Sequence, residues 1–170
     1  MIIDIERKYL EISDLNSLKG QGKPNELCKV FKIDPPDFQL NRFFYKQIGR
    51  KHKWVDRLNW EDRNWTKYLN NPNVSTYVLK EKDELVGYFE NIIDLKNKSC
   101  EIAYFGILEN YFGKKYGSYL LTEAIKFSLN KDTNRVWVHT CSLDHRNALN
   151  NYLSRGMKVF KSEKIRVKKY

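Results

Sequence analysis

The feature that most constrains this chain is a change of period part-way along it. From Val74 to Leu108 the residues read as strands. Val74 to Leu79 and Leu85 to Ile93 flank the turn 80–84, and Asp94 to Lys98 turns again into Cys100 to Leu108. Two successive hairpins make an antiparallel meander. At Tyr116 the spacing lengthens: Leu120, Leu121, Ala124 and Ile125 recur at helical intervals as far as the polar stop Asn130-Lys131-Asp132. Arg135 to Thr140 returns to a strand. From His145, with Asp144 placed to cap and Gly156 to end it, a second helix carries Ala148, Leu149, Tyr152 and Leu153 on one face. Met157 to Phe160 and Ile165 to Val167 read as a closing hairpin. This order predicts an α+β fold whose helices connect roughly parallel central strands of a mostly antiparallel sheet.

The cluster Asn70-Asn71-Pro72-Asn73 separates this region from a differently textured first part. Residues 1–72 read as an opening strand, Ile2 to Ile12, followed by irregular and helical segments. Asp37 caps a helix running to about Ile48, and Trp60-Glu61-Asp62 begins another that ends near Leu69. At 170 residues the length is that of one domain, so both regions are expected to share it. With 41% hydrophobic and 14% aromatic residues the chain is not a disordered basic tail. No apolar run approaches a membrane span, and the opening Met1-Ile2-Ile3-Asp4 lacks the pattern of a secretory signal, so the cytoplasm is the expected compartment. Cys28, Cys100 and Cys141 are odd in number and widely separated, which predicts neither disulfides nor a metal site. The net charge of +10 points to an anionic partner, but the lysines are spread along the chain.

One segment is built to meet an anion. Residues 107–118 run from a buried strand through a loop holding Gly113 into the start of a helix. The first amides of a helix lack intrahelical partners and lie at the positive end of its dipole, so an open loop there cradles a pyrophosphate. Gly113 and Gly117 allow close approach, and Lys114 and Lys115 add charge. An ordinary strand-to-helix turn has the same composition.

Taken with the downstream run His145-Arg146-Asn147-Ala148-Leu149-Asn150-Asn151-Tyr152-Leu153-Ser154-Arg155-Gly156-Met157, this segment resembles the GNAT superfamily of acetyl-CoA-dependent N-acetyltransferases. Ala148, Tyr152 and Gly156 match its second motif, and the resemblance covers about residues 74–160. Phe112 stands at a motif Gln/Arg position, Lys115 at the first motif glycine, His145 at a motif Asn and Met157 at a motif Phe. The run from Trp137 to His145 is also similar to a bacterial subgroup of the superfamily. The resemblance implies acetyl-CoA as co-substrate, no metal, and a GNAT-like sheet whose two parallel central strands splay around the cofactor. It implies that residues 73–170 bind the cofactor through the backbone at Phe105, Gly106 and Ile107, the loop and helix start from Gly113 through Lys114, Lys115, Tyr116 and Gly117 to Ser118, and His145. Residues 1–72 fall on the acceptor side.

By the same resemblance Glu101 is the general base and Tyr152 the general acid in direct transfer of the acetyl group to a primary amine. Glu90 and His139 compete for the base, and a solvated strand-end carboxylate or a core tyrosine are the plainer readings. The aromatic residues of the first part, among them Tyr45, Trp54, Trp60, Trp65 and Tyr68, are interleaved with Arg57 and several lysines. They read in three ways: a wall for a cationic acceptor paired with Asp56, Glu61 or Asp62, the core of a helical pair, or a nucleic-acid surface. The expected partner is a small-molecule or peptide amine, with a homodimer open and nucleic acid disfavoured for want of a binding motif. The competing function is a basic module of the same fold that binds nucleic acid or an acyl-CoA without turnover.

Overall fold

The computed structural model describes residues 1–168, which form seven strands and four α-helices. The strands are β1 (Ile2–Ile12), β2 (Cys28–Lys32), β3 (Val74–Glu81), β4 (Glu84–Asp94), β5 (Ser99–Ile107), β6 (Arg135–Cys141) and β7 (Lys158–Lys168). The helices are α1 (Phe38–His52), α2 (Asp62–Leu69), α3 (Tyr116–Ser128) and α4 (Ala148–Ser154). All strands join one mixed sheet in the order β2-β3-β4-β5-β6-β1-β7. The meander is β3-β4-β5, as the alternation predicts. The pair β5–β6 is parallel and the other neighbours are antiparallel.

Three local expectations are corrected. The segment after β1 is not wholly irregular and helical, because Cys28–Lys32 pairs with β3 at the sheet edge. The closing residues form one strand rather than a hairpin, since β1 offers an eleven-residue partner from Ile2 to Ile12 and β7 pairs along it. Asp144 does not cap α4. Its Oδ2 accepts hydrogen bonds from Thr140 Oγ1 at 2.7 Å and Cys141 N at 3.0 Å, closing the turn after β6, so the helix starts only at Ala148. Elsewhere the caps act as read: Asp37 Oδ1 accepts from Gln39 N and Leu40 N, and α1 runs on to His52.

Two apolar layers fix the helices. On one face α3 and α4 bury Leu120, Leu121, Ile125 and Tyr152 against Phe89, Ile102, Val136 and Val138. On the other, α1 sets Phe44 and Ile48 against Val78 and Tyr88. Gly106 makes that second contact possible, because a Cβ there would lie 2.6 Å from Ile48 Cγ2. Burying these side chains contributes roughly 1.5–3 kcal/mol apiece, which clamps the sheet between helices on both sides. α1 and α2 lie over β3, β4 and β5, whereas Trp137 and His139 of β6 and Tyr9 of β1 stay half-exposed on the same face. No helix among the described residues is long and apolar enough to cross a membrane.

Candidate active site

The parallel pair β5–β6 is the place where the sheet opens. Pairing runs from Ser99↔Arg135 through Cys100↔Val136 to Glu101↔Trp137 and stops, although both strands continue. Backbone groups beyond that point on the facing edges have no ladder partner in each other, so the gap exposes donors and acceptors to a guest chain. A bulge sharpens the bend. Asn91 pairs with Ile102 and Glu90 with Tyr104, leaving Ala103 unpaired. The bulge also resets which side chains share a face: Glu101 and Tyr104 point toward α1, while Ile102, Phe105 and Ile107 point toward α3.

The site therefore has two sides. On the α3 side, a short 3-10 turn at Glu109–Tyr111 leads to Gly113, at φ 75° with open space where a Cβ would be, and to Lys115. Lys115 holds the left-handed conformation, φ 68° and ψ 9°, immediately before α3. The residue at the motif-glycine position thus keeps a glycine-like backbone, at a cost of about 1–2 kcal/mol. The first intrahelical bond is Tyr119 N to Lys115 O, so the amides of Tyr116, Gly117 and Ser118 are free of the helix ladder. Gly117 packs beside Ile107 and Asn151. Asn151 donates from Nδ2 to Gly117 O at 3.2 Å, while its Oδ1 is buried with no partner. Tyr152 lies on the same helix, its ring 6.4 Å from that of Phe105. Burial, and then the Asp144 charge, raise its phenol far above the ordinary range, so it carries its proton at neutral pH.

On the α1 side stands Glu101, half-buried at the last paired position. Desolvation raises its carboxyl above the usual 4.5, with the Arg57 charge pulling the other way. His139 is two residues past the parting on β6, with the Tyr9 ring 5.7 Å away. Burial, and then Arg7, hold it below 6.5, so it is neutral at neutral pH. Glu90 is wholly covered. Arg57 Nη1 donates to both its oxygens at 2.9 and 3.2 Å, and Asn41 Nδ2 donates at 3.0 Å.

Three further residues named from the sequence, Tyr116, Lys114 and His145, have distinct surroundings in the fold. Tyr116 turns its ring into the core and donates from its hydroxyl to Glu81, so only its amide belongs to the loop. Lys114 remains exposed. The His145 ring lies 4.9 Å from Phe112 and 5.9 Å from His52, and its Nδ1 accepts from Asn147 N at 3.1 Å. It joins the end of α1 to the loops that follow β5 and β6. Of the three readings of the aromatic cluster, the core of a helical pair comes nearest: the rings of Tyr45, Trp60, Trp65, Tyr68 and Tyr104 surround the chain's own Arg57, at 4.0–5.9 Å. Those faces are taken. Of the three acidic candidates, Asp62 pairs with Arg42 at 2.8 Å and Glu61 with Arg63 at 3.0 Å, which leaves Asp56. Asn151 was not foreseen; its only signal was its place three residues after Ala148, on the helix side facing Gly117.

Residues 30–157 match the profile of the acetyltransferase (GNAT) family. The chain belongs to that family. The match begins in β2, so α1 and α2 are part of it, beyond the 74–160 region that the motifs covered. GNAT acetyltransferases generally use acetyl-CoA as co-substrate, and the mixed sheet with its parallel pair is their fold. An aminoglycoside acetyltransferase from an uncultured soil metagenomic sample, solved with trehalose, superposes with TM-score 0.66 at 17% identity, over 78% of this chain and 90% of that one. A GCN5-related N-acetyltransferase from Sphaerobacter thermophilus gives 0.74 at 14% identity over 95% of this chain, which spans 50% of that longer protein. A GNAT family acetyltransferase from Streptococcus pneumoniae TIGR4 gives 0.58 at 18% identity, over 77% and 87% of the two chains. No curated protein sequence matches the chain. Among the described residues no group of His, Cys, Asp and Glu side chains is arranged to hold a metal ion.

Proposed function

We propose that this GNAT acetyltransferase moves an acetyl group from acetyl-CoA directly to a primary amine, with Glu101 as the base and Tyr152 as the acid. The observation that carries the reading is the parting of β5 and β6 just after Glu101 and Trp137, flanked by a carboxylate on one face and a buried phenol on the other. The donor set fits the co-substrate. The free amides of Tyr116, Gly117 and Ser118, with Gly113 and Lys115 shaping their loop, suit a diphosphate. Phe105, Gly106 and Ile107 offer strand backbone to the pantetheine arm, and the partnerless Asn151 Oδ1 supplies an acceptor for an N–H. Acetyl-CoA supplies an activated thioester carbonyl.

The residues then divide the work by face. From the α1 side Glu101 takes a proton from the acceptor's ammonium, which frees the nitrogen lone pair to attack the carbonyl carbon. Its raised carboxyl is closer in basicity to neutral pH than an exposed glutamate, which improves proton transfer. As the carbon–sulfur bond breaks, the Tyr152 hydroxyl donates from the α3 side to the departing sulfur. A backbone N–H in the gap holds the carbonyl oxygen. The second proton lost by the new amide makes good, by way of solvent, the one that Tyr152 gave to the sulfur, and Glu101 releases its own to solvent. Placing base and acid on opposite faces keeps each from neutralising the other while both reach the gap.

Acetyl-CoA should raise the melting temperature and amines should release free thiol from it. Stabilisation by oligonucleotides in a salt-sensitive manner, with no response to acetyl-CoA, would instead favour the non-catalytic module.

A further inference from the structure

We propose that Asp56 is a specificity-determining carboxylate that binds a second ammonium group of a diamine or polyamine acceptor while the other amine reacts beside Glu101. This rests on the acetyl-transfer reading and adds the chemical class of its acceptor.

Asp56 is held as a recognition group is held. Tyr45 Oη donates to its Oδ1 at 2.9 Å and Tyr104 Oη donates to its Oδ2. Tyr45 Oη in turn accepts from Arg57 N at 3.0 Å, so the loop after α1 is fixed on both sides of the carboxylate. The Arg57 side chain leaves that loop for Glu90 and the aromatic cage, which anchors the backbone without neutralising Asp56. Among the described residues Asp56 forms no ion pair, although the chain bears 31 lysines and arginines and both Asp62 and Glu61 have found partners. The carboxylate is exposed. Two phenols fix its orientation and leave the remaining lone pairs open to a cation from solvent.

Its position relative to the chemistry is set by the bulge. Because Ala103 is unpaired, Tyr104 follows Glu101 on the same face, roughly 7 Å along the strand. The Tyr104 hydroxyl meets Asp56, and His139 stands two residues past the parting on β6, on the other side of the gap. Tyr104 thus links Glu101 on its own strand to Asp56 above it, and the two carboxylates border one opening that a short alkyl chain with an amine at each end can bridge. The Trp54 ring, 5.0 Å from Tyr104, lines the approach with an apolar face for the methylenes. On a chain with net charge +10, a local carboxylate offsets the general repulsion of a dication.

The test compares 1,4-diaminobutane, 1,5-diaminopentane, n-butylamine and 4-aminobutanoate as acceptors by thiol release. Binding of each amine is measured separately by calorimetry without acetyl-CoA. The wild-type chain should favour the diamines over n-butylamine by about tenfold or more in both kcat/KM and affinity, with 4-aminobutanoate poorest. In Asp56→Asn the ratio should collapse to about twofold or less, and Asp56→Glu should restore part of it; melting temperatures verify that both variants fold. Equal use of diamine and monoamine by the wild type, or an unchanged ratio in Asp56→Asn, overturns the assignment. Asp56-dependent diamine binding without thiol release from any amine would sink the acetyl-transfer reading and leave Asp56 standing. Brisk but unselective transfer would do the reverse.

Discussion

Glu90 and Glu101 occupy neighbouring strands and face the same side of the sheet, yet their surroundings differ in every respect that matters to chemistry. Glu90 is 0% exposed, bound by Arg57 and Asn41 beneath a ring of aromatic side chains. Glu101 is half-buried at the edge of the gap, with no hydrogen-bonded cation among the described residues, and desolvation raises its carboxyl. Burial with a partner suits a carboxylate to a structural part, while burial beside an opening suits it to the role of base proposed for Glu101. α1 and α2 decide between the two, because they roof β4 and stop short of β6. The same roof turns Arg57 inward and Asp56 outward from adjacent positions in one loop.

The sharpest way to break this contrast is to remove the partner on the roofed side. Arg57→Met leaves Glu90 buried and unpaired, and urea unfolding should show a loss of about 3–5 kcal/mol. Adding Glu90→Leu should recover most of that loss, since an apolar pair can replace a buried ion pair. A small single-variant effect would mean that Glu90 is solvated after all. On the open side, Glu101→Gln should lower kcat/KM by about a hundredfold or more while melting within a few degrees of the parent. The wild-type rate should rise with pH through a limb displaced above 4.5, because the raised carboxyl must lose its proton to act as base. That limb should vanish in the glutamine variant, and its survival would transfer the role to His139. Across the gap, Tyr152→Phe should reduce kcat by about tenfold with little change in acetyl-CoA affinity. The smallest effect concerns the loop: Lys115→Gly relieves a left-handed lysine and should add about 0.5–1 kcal/mol to stability by thermal or urea melts.

Much of the fold was legible because it is written in local periods and caps. The alternation from Val74 to Leu108, the helical spacing after Tyr116, the Asp37 cap and the Gly156 stop each depend on a few consecutive residues, and each appears where the spacing put it. β2 was missed and β7 was read as a hairpin for a common reason. Cys28–Lys32 is five residues long, and Lys158–Lys168 is broken by charge in its middle, so neither shows an unbroken hydrophobic period. Both exist because a partner strand was waiting, β3 for one and β1 for the other. Asp144 looked like a cap and became a turn-closing acceptor, since Thr140 and Cys141 came within reach first.

The site shows the same division. The open loop from Gly113 to Ser118 and the helix face carrying Tyr152 could be read from residue types and offsets, because a glycine-bearing helix start and an amphipathic helix are local objects. The use of each aromatic ring could not. Tyr45, Trp60, Trp65, Tyr68 and Tyr104 come from three separate elements and the loop between them, and only their convergence on Arg57 shows that their faces hold an internal cation. Glu90, Glu101 and Asp56 were likewise three carboxylates on paper. Sequence determined which groups the chain has and in what order its strands and helices follow, through interactions a few residues long. Tertiary structure decided which carboxylate is covered, which stands at the gap and which faces solvent, because burial and charge pairing depend on neighbours far apart along the chain.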